Sequence, residues 1–248
     1  MTGTRHALVT GGGSGIGRAI ALALADAGVE VTICGRRAEA LAAVERDRIH
    51  GLVADVTDAK SIARLYEDAI AARGAFDIVV ANAGAAASAP AAKVSLADWQ
   101  ATLDVNLTGA FLTVQPALSA MVRAGHGRIV FIASTAGLRG YAYVAPYVAA
   151  KHGVIGLMRA LAMETAKSGV TVNAVCPGFA ETDMLARSID EIVAKTGRGE
   201  AEARAALANP QGGFVTPEEV AAAVQWLVSD AARSVTGQAI SVSGGETW

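Results

Sequence analysis

Along the whole chain, short apolar runs alternate with longer segments in which apolar positions recur every three or four residues. The short runs are bounded by glycine, aspartate or basic residues and are too brief for helices, which predicts buried β-strands at 6–10, 30–34, 51–54, 77–81, 128–133, 171–176 and 239–242. The periodic segments between them predict helices at 15–27, 38–45, 59–73, 96–124, 147–168 and 217–227. Strands that are apolar on both sides, each followed by a helix, predict an α/β fold. Its sheet is doubly wound, mostly parallel and seven-stranded, with helices on both faces. Ligands in such a sheet bind beyond the C-terminal ends of the strands.

One stretch departs from this rhythm. Between the sixth strand and the helix at 217, residues 179–214 contain helical pieces at 188–195 and 200–208, with Gly197, Gly199, Gly212 and Gly213 as hinges. So long an excursion in a compact domain reads as a lid over a binding site. No linker or composition break divides the rest, so the expected unit is a single domain over 1–248.

Composition narrows the function. Hydrophobic residues make up 52% against 18% charged, enough to bury a large sheet, and a net charge of −2 with no basic block argues against nucleic-acid partners. The N-terminus runs straight into a strand without the apolar core of an export signal. No apolar run is read as reaching the ~20 residues of a membrane span. These features place the chain in the cytoplasm, away from membranes. Cys34 and Cys176 each end an apolar run and read as buried reduced thiols. The four histidines lack ligand spacing, so no metal is expected.

Two motifs carry the chemistry. In ALVTGGGSGIGRAIALALADAG, a strand meets a glycine turn and then a helix, with Gly11, Gly12, Gly13, Gly15 and Gly17 in the turn. Glycines there allow close backbone approach to a pyrophosphate, and the helix N-terminus offers unpaired N–H groups to it. Farther on, Ser134 closes a strand, and Tyr147 and Lys151 stand one helical turn apart, on one face. An ammonium beside a phenol favours its phenolate and would lower a tyrosine pKa from about 10. Ser134 can bond the same substrate oxygen. The three read as an acid/base, its tuner and a positioning donor for a carbonyl/alcohol interconversion.

The ordered set of Thr10-Gly11-x-x-x-Gly15-x-Gly17, Asn82-Ala83-Gly84, Asn106, Ser134 with Tyr147-x-x-x-Lys151, and Pro177-Gly178 with Thr182 resembles the short-chain dehydrogenase/reductase family over essentially the whole chain. The segments GRIVFIAS, AAKHGV and VNAVCPGF are most similar to those of 3-oxoacyl thioester and polyketide ketoreductases. The resemblance implies a Rossmann-type fold and an NAD(P)-dependent oxidoreductase acting on a ketone or secondary alcohol, with a 3-oxoacyl thioester as the first candidate. It implies Asn106, Ser134, Tyr147 and Lys151 as catalytic residues, Asn106 supporting a water that links the lysine to solvent. It implies cofactor contacts from Gly11, Ser14, Gly15, Ile16, Gly17, Asp55, Val56, Asn82, Gly84, Tyr147, Lys151, Pro177, Gly178 and Thr182, and a homotetramer built on the helices 96–124 and 147–168, with the C-terminal GQAISVSGGETW at another interface. Asp55 also reads as a helix cap in a DVTD turn. The segment around Asn106 also reads as a bend made for packing.

Cofactor choice is read at ICGRR, where Gly35 stands in place of an acidic residue and Arg36 follows, suited to grip a 2′-phosphate. NADP(H) is therefore favoured over NAD(H). Arg139, Tyr141, Tyr143, the stretch 85–90 and the lid should shape the substrate pocket, with Arg139, Arg187, Lys195, Arg198 and Arg204 placed to meet an acidic handle. Two alternatives stand beside this reading: an NAD(H)-linked dehydrogenase of a small cyclic or aromatic alcohol, and a non-catalytic cofactor-sensing regulator.

Overall fold

The computed structural model describes residues 4–247. Met1–Gly3, at the start of the segment read as lacking an export signal, and Trp248, at the end of the expected C-terminal interface, lie outside the described residues.

Seven strands, β1 (His6–Thr10), β2 (Glu30–Gly35), β3 (Ile49–Val53), β4 (Ile78–Ala81), β5 (Gly127–Ile132), β6 (Val170–Pro177) and β7 (Ala239–Val242), form one sheet in the order β3-β2-β1-β4-β5-β6-β7. Every pairing is parallel. The order reverses between β1 and β4, which opens a crevice at their C-terminal ends.

Alternation along the strands builds two cores. Leu8, Val79, Ile129 and Phe131 face one side, packed under α3 (Ala59–Arg73), α5 (Gly109–Ala124) and α6 (Ala145–Thr165). Ala7, Val9, Val80 and Val130 face the other, under α1 (Gly15–Asp26) and α9 (Pro217–Leu227). Local chemistry sets the ends of these helices. Asp58 caps α3 by accepting from the Lys60 N–H, and α9 begins with Pro217 inside a Thr216–Glu219 capping box. The chain leaves α5 through Gly125 at φ 67°.

Four expectations shift. The helix α2 (Ala38–Ala42) ends at Ala42 rather than 45, and α6 begins at Ala145, where Pro146 takes a first-turn position that needs no N–H donor. The predicted helix 96–124 is three pieces: α4 (Leu96–Leu103), a π-helical turn Asp104–Thr108, then α5. Contrary to the expectation that no segment suits a membrane, Leu96–Ala124 is long and apolar enough to cross one, with a mean hydropathy of 1.3 over its best window. In the fold, this run packs against the sheet and α3: Val114, Ala117 and Met121 join the core, and the Tyr66 hydroxyl donates to the Thr113 carbonyl at 2.5 Å.

The segment 179–214 folds as α7 (Asp183–Thr196) and α8 (Glu200–Ala205) around a small core of its own, in which Leu185, Ile189 and Ala203 are buried with Phe179 and Phe214 against them.

Candidate active site

The glycine turn between β1 and α1 is shaped by what lies behind it. A Cβ on Gly17 would stand 2.3 Å from the Gly11 carbonyl oxygen, and one on Gly12 would stand 2.6 Å from the Ile33 side chain. Gly11 and Gly15 take φ of +66° and +50°, which disfavour any side chain. Asn82 fastens the turn: its Nδ2 donates to the Thr10 and Gly11 carbonyls at 2.8 and 3.4 Å, while Thr10 Oγ1 accepts from the Asn82 and Ala83 N–H groups. The Asn82 side chain thus supports the turn from behind. Ser14 stands at the N-cap of α1 with its hydroxyl bonded to no helix N–H, and no acidic side chain sits in the first turn. This exposed helix start and the glycine cradle fit a pyrophosphate.

The turn opens on a cleft of about 220 Å³, lined by Gly11, Gly13, Ser14, Arg36, Asp55, Val56 and Gly84 among others. Arg36 is exposed at the end of β2, and Arg37 is the N-cap of α2 (Ala38–Ala42). Asp55 does not cap a helix, since Asp58 has that place. Its Oδ1 accepts from the Thr57 N–H and hydroxyl at 2.9 and 2.8 Å, and chiefly the Thr57 backbone bond, with a smaller contribution from Arg36, holds its carboxyl below the usual range. Val56 packs where a Cβ on Gly109 would stand at 2.8 Å, which accounts for a glycine at the start of α5.

Ser134 ends the β5 crossover with Oγ accepting from the Ala136 N–H at 3.1 Å, so its own proton remains free to donate. One turn apart on α6, Lys151 Nζ lies 5.5 Å from the centroid of the Tyr147 ring and donates to the Ile132 carbonyl at 2.8 Å. The lysine is buried and the tyrosine half-buried. Burial dominates both groups. It raises Tyr147 above its ordinary value, opposed by the Ser134 hydroxyl, and it lowers Lys151 to about 8. The downward pull of Lys151 on the tyrosine, expected from helix spacing, is therefore not what the protein alone displays: desolvation dominates and the opposing contribution comes from the Ser134 hydroxyl.

Asn106 lies within the π turn, where the Gly109 N–H reaches back to the Asp104 carbonyl. Its buried side chain donates to the Ala85 and Thr102 carbonyls at 2.8 and 2.9 Å, and Oδ1 accepts from the Ala85 N–H at 3.3 Å. The asparagine thereby pins the strand end that carries Gly84. A Cβ on Gly84 would lie 2.8 Å from Asn106 Oδ1 and 3.7 Å from Lys151 Nζ, so that glycine brings the three together. Pro177 ends β6, Gly178 follows it, and Thr182 at the start of α7 lies close enough to Gly15 that a Cβ there would meet its methyl at 3.1 Å.

On the substrate side the structure departs from expectation. Arg139 is exposed yet engaged within the chain: its guanidinium lies 5.1 Å from the Tyr141 ring centroid and donates to the Glu246 carbonyl. Lys195 bonds Glu191 and the Ser88 carbonyl, Arg198 pairs with Glu202, and Arg204 pairs with Glu181. Four of the five basic residues read as free for an acidic handle are thus engaged within the chain. Tyr143 stands exposed with φ 69°. Glu246, missed in the sequence, accepts a hydrogen bond from the Tyr141 hydroxyl.

The profile of the short chain dehydrogenase family matches residues 5–192. A ketoacyl reductase of the granaticin polyketide synthase from Streptomyces violaceoruber is 41% identical, covering 96% of this chain and 92% of its own. The cis-4-hydroxycyclohexanecarboxylate dehydrogenase of Sinomonas cyclohexanicum is also 41% identical, covering 98% of this chain and 96% of its own. Among solved structures, a variant of actinorhodin polyketide ketoreductase with NADPH superposes with a TM-score of 0.94 at 38% identity, covering 98% of this chain and 97% of that one.

Proposed function

The chain belongs to the short chain dehydrogenase family, and we propose that it reduces a ketone to a secondary alcohol with NADPH. The observation that carries this reading is that Tyr147 stands beside both Lys151 and the Ser134 hydroxyl, while Lys151 Nζ lies close to Gly84, which lines the glycine-turned cleft. When bound there, the nicotinamide supplies the hydride. The protein's residues do the rest. Tyr147 donates its proton to the substrate oxygen as negative charge develops on it, and the free Ser134 proton bonds the same oxygen. Lys151, with donors left over beyond Ile132, holds the cofactor ribose and sustains the phenolate that the tyrosine becomes. Asn106 fixes the Gly84 strand end beside that lysine and supports the water through which the pair regains a proton.

NADPH is favoured by Gly35 and Arg36 at the end of β2, and the NADPH-bound structural relative supports it. A 3-oxoacyl thioester is the first substrate to test, by likeness to the ketoacyl reductases. The equally similar cyclohexane-alcohol dehydrogenase keeps a compact cyclic ketone as the second. The engaged basic residues favour substrates without a strongly acidic handle. The segment 179–214 acts as the lid of a single domain, with Lys195 fastening it to the Ser88 loop.

Leu96 and Met163 are 80% and 79% exposed on α4 and α6, with Phe111 and Val122 also open on α5, which supports a homotetramer joined through these helices. Light scattering at micromolar concentration should read four chains, and a monomer would refute this. The activity test is NADPH and NADH oxidation against a panel of 3-oxoacyl thioesters, cyclic ketones and sugars. Absence of turnover on every ketone would favour a sensor.

A further inference from the structure

We propose that the C-terminal turn 243–247 is a positioning element of the active site, acting through Glu246 on the loop that carries Ser134. This rests on the catalytic reading of Ser134 and Tyr147 given above. The two hydroxyls stand at opposite ends of one connection, with Ser134 leaving β5 and Tyr147 in the first turns of α6. Their spacing is set by the Lys151 bond to the Ile132 carbonyl, by the packing of Gly137 on α6, and by the rest of that connection.

The middle of the connection is tied to the far end of the chain. The Tyr141 phenol donates to Glu246 Oε1 and lies 2.8 Å from Thr135 Oγ1. A phenol has one proton. With it given to the carboxylate, the Thr135 hydroxyl must be the donor in the second bond, so the order runs Thr135 to Tyr141 to Glu246. Thr135 is buried and adjacent to Ser134 in sequence. Arg139 adds a second tie from the same loop, with Nη1 donating to the Glu246 backbone carbonyl at 3.3 Å. Burial and then the Glu246 bond raise Tyr141 to about 12, so the donor proton stays in place throughout the neutral range.

The turn that presents Glu246 is wedged on its other sides. A Cβ on Gly178 would stand 2.6 Å from Glu246 Oε2, and one on Gly244, at φ +57°, would stand 2.3 Å from Asn209 Nδ2. Gly245, at φ +87°, lies against Pro210. Asn209 and Pro210 end the lid segment, while Gly178 follows the strand that leads into it. The turn is therefore in contact with both ends of the lid and, through one carboxylate, with the loop of the catalytic serine. Glu246 Oε2 is buried with no hydrogen-bond partner among the described residues. A carboxylate oxygen left so is destabilising. The burden is understandable if the other oxygen fixes the geometry of the site.

The test compares Glu246→Ala, Glu246→Gln, Tyr141→Phe and the Glu246→Ala/Tyr141→Phe double variant, with Tyr147→Phe in parallel. Misplacing a catalytic group by an ångström can cost about 100-fold, so Glu246→Ala and Tyr141→Phe should each lower kcat by about 10- to 100-fold. NADPH affinity, read by fluorescence titration, should stay within about twofold, because the glycine cradle and Arg36 lie elsewhere. Glu246→Gln keeps the Oε1 acceptor and should recover most of the kcat. The double variant should be no worse than the poorer single one, since both break the same tie. Deuterium uptake over 134–143 should rise in Glu246→Ala and Tyr141→Phe and not in Glu246→Gln.

Unchanged kcat in Glu246→Ala and Tyr141→Phe while Tyr147→Phe is inactive overturns the positioning role alone, as do fully additive losses in the double variant. Full activity in Tyr147→Phe overturns the catalytic reading on which it rests. Should Glu246→Ala fail to fold, Tyr141→Phe and Glu246→Gln decide the matter, the first losing kcat and the second keeping it.

Discussion

Arg36 offers the sharpest test of cofactor choice, because its surroundings let the effect be worked out in advance. The side chain is exposed at the mouth of the cleft and enters no ion pair among the described residues, so its removal frees no buried partner. A hydrogen bond between a guanidinium and a phosphate contributes about 1.5–3 kcal/mol, and ~1.4 kcal/mol corresponds to tenfold in affinity. Exposure and salt screening move an open pair to the lower end. Arg36→Ala should therefore weaken NADPH binding about tenfold at physiological ionic strength, and nearer to a hundredfold in dilute buffer, leaving NADH binding unchanged. Gly35→Asp can be added without strain. Its φ is not left-handed, and a Cβ there meets only Leu41 Cδ2 at 3.7 Å. The new carboxylate would face the ribose hydroxyls and, with Asp55 close by, repel a 2′-phosphate, so Gly35→Asp with Arg36→Ala should reverse the preference to NADH. Arg37→Ala, at the N-cap of α2, should change neither cofactor appreciably. The assay is fluorescence titration with both cofactors at low and high salt. Equal weakening of NADH and NADPH by Arg36→Ala, a loss insensitive to salt, or a wild type that prefers NADH would refute the phosphate role.

Removing the phenolic proton in Tyr147→Phe should reduce turnover by about 10²–10⁴-fold with cofactor binding intact, measured by steady-state NADPH oxidation and titration. Lys151 is held at about 8 against an ordinary 10.5, so below pH 8 the folded protein carries a desolvated charge that the unfolded chain does not. Lys151→Met should therefore raise the melting temperature at pH 7, and the gain should fade as pH rises from 8 to 10.5, where the wild-type lysine sheds its proton and its penalty. Because a Cβ on Gly84 meets Asn106 Oδ1 at 2.8 Å, Gly84→Ala should cost about 1–3 kcal/mol in chemical denaturation and reduce kcat, whereas Gly140→Ala, with nothing near it, should do neither.

The centre of the sheet is legible because its strands are buried on both faces, so an apolar run such as Ile78–Ala81 needs no partner to be recognised. The glycine turn is legible for a related reason: Gly12 and Gly17 answer clashes within a few residues or one neighbouring strand. What depends on distant parts of the chain is not legible. Asn106, Thr108 and Gly109 announce a disturbed helix, yet whether it becomes a bend or a π turn depends on Val56 beneath Gly109 and on the Ala85 backbone that the asparagine amide meets. Arg139 reads as free until Tyr141 and Glu246 are folded against it.

The same limit governs the acid/base pair. Helix spacing establishes that Lys151 neighbours Tyr147, and a charge–charge argument made on spacing alone predicts a lowered phenol. It omits the medium. In the folded chain both groups have lost water, which favours the neutral form of each, so the phenol is raised and the ammonium lowered together. A protonated phenol beside a hydroxyl whose own proton is free is the form required to reduce a ketone, since the tyrosine must hold its proton until charge appears on the substrate oxygen. Once that charge has been neutralised, the phenolate left behind is the species that Lys151 stabilises. On the proposed mechanism the lysine would therefore act late in the reduction, after proton transfer, rather than by ionising the tyrosine beforehand.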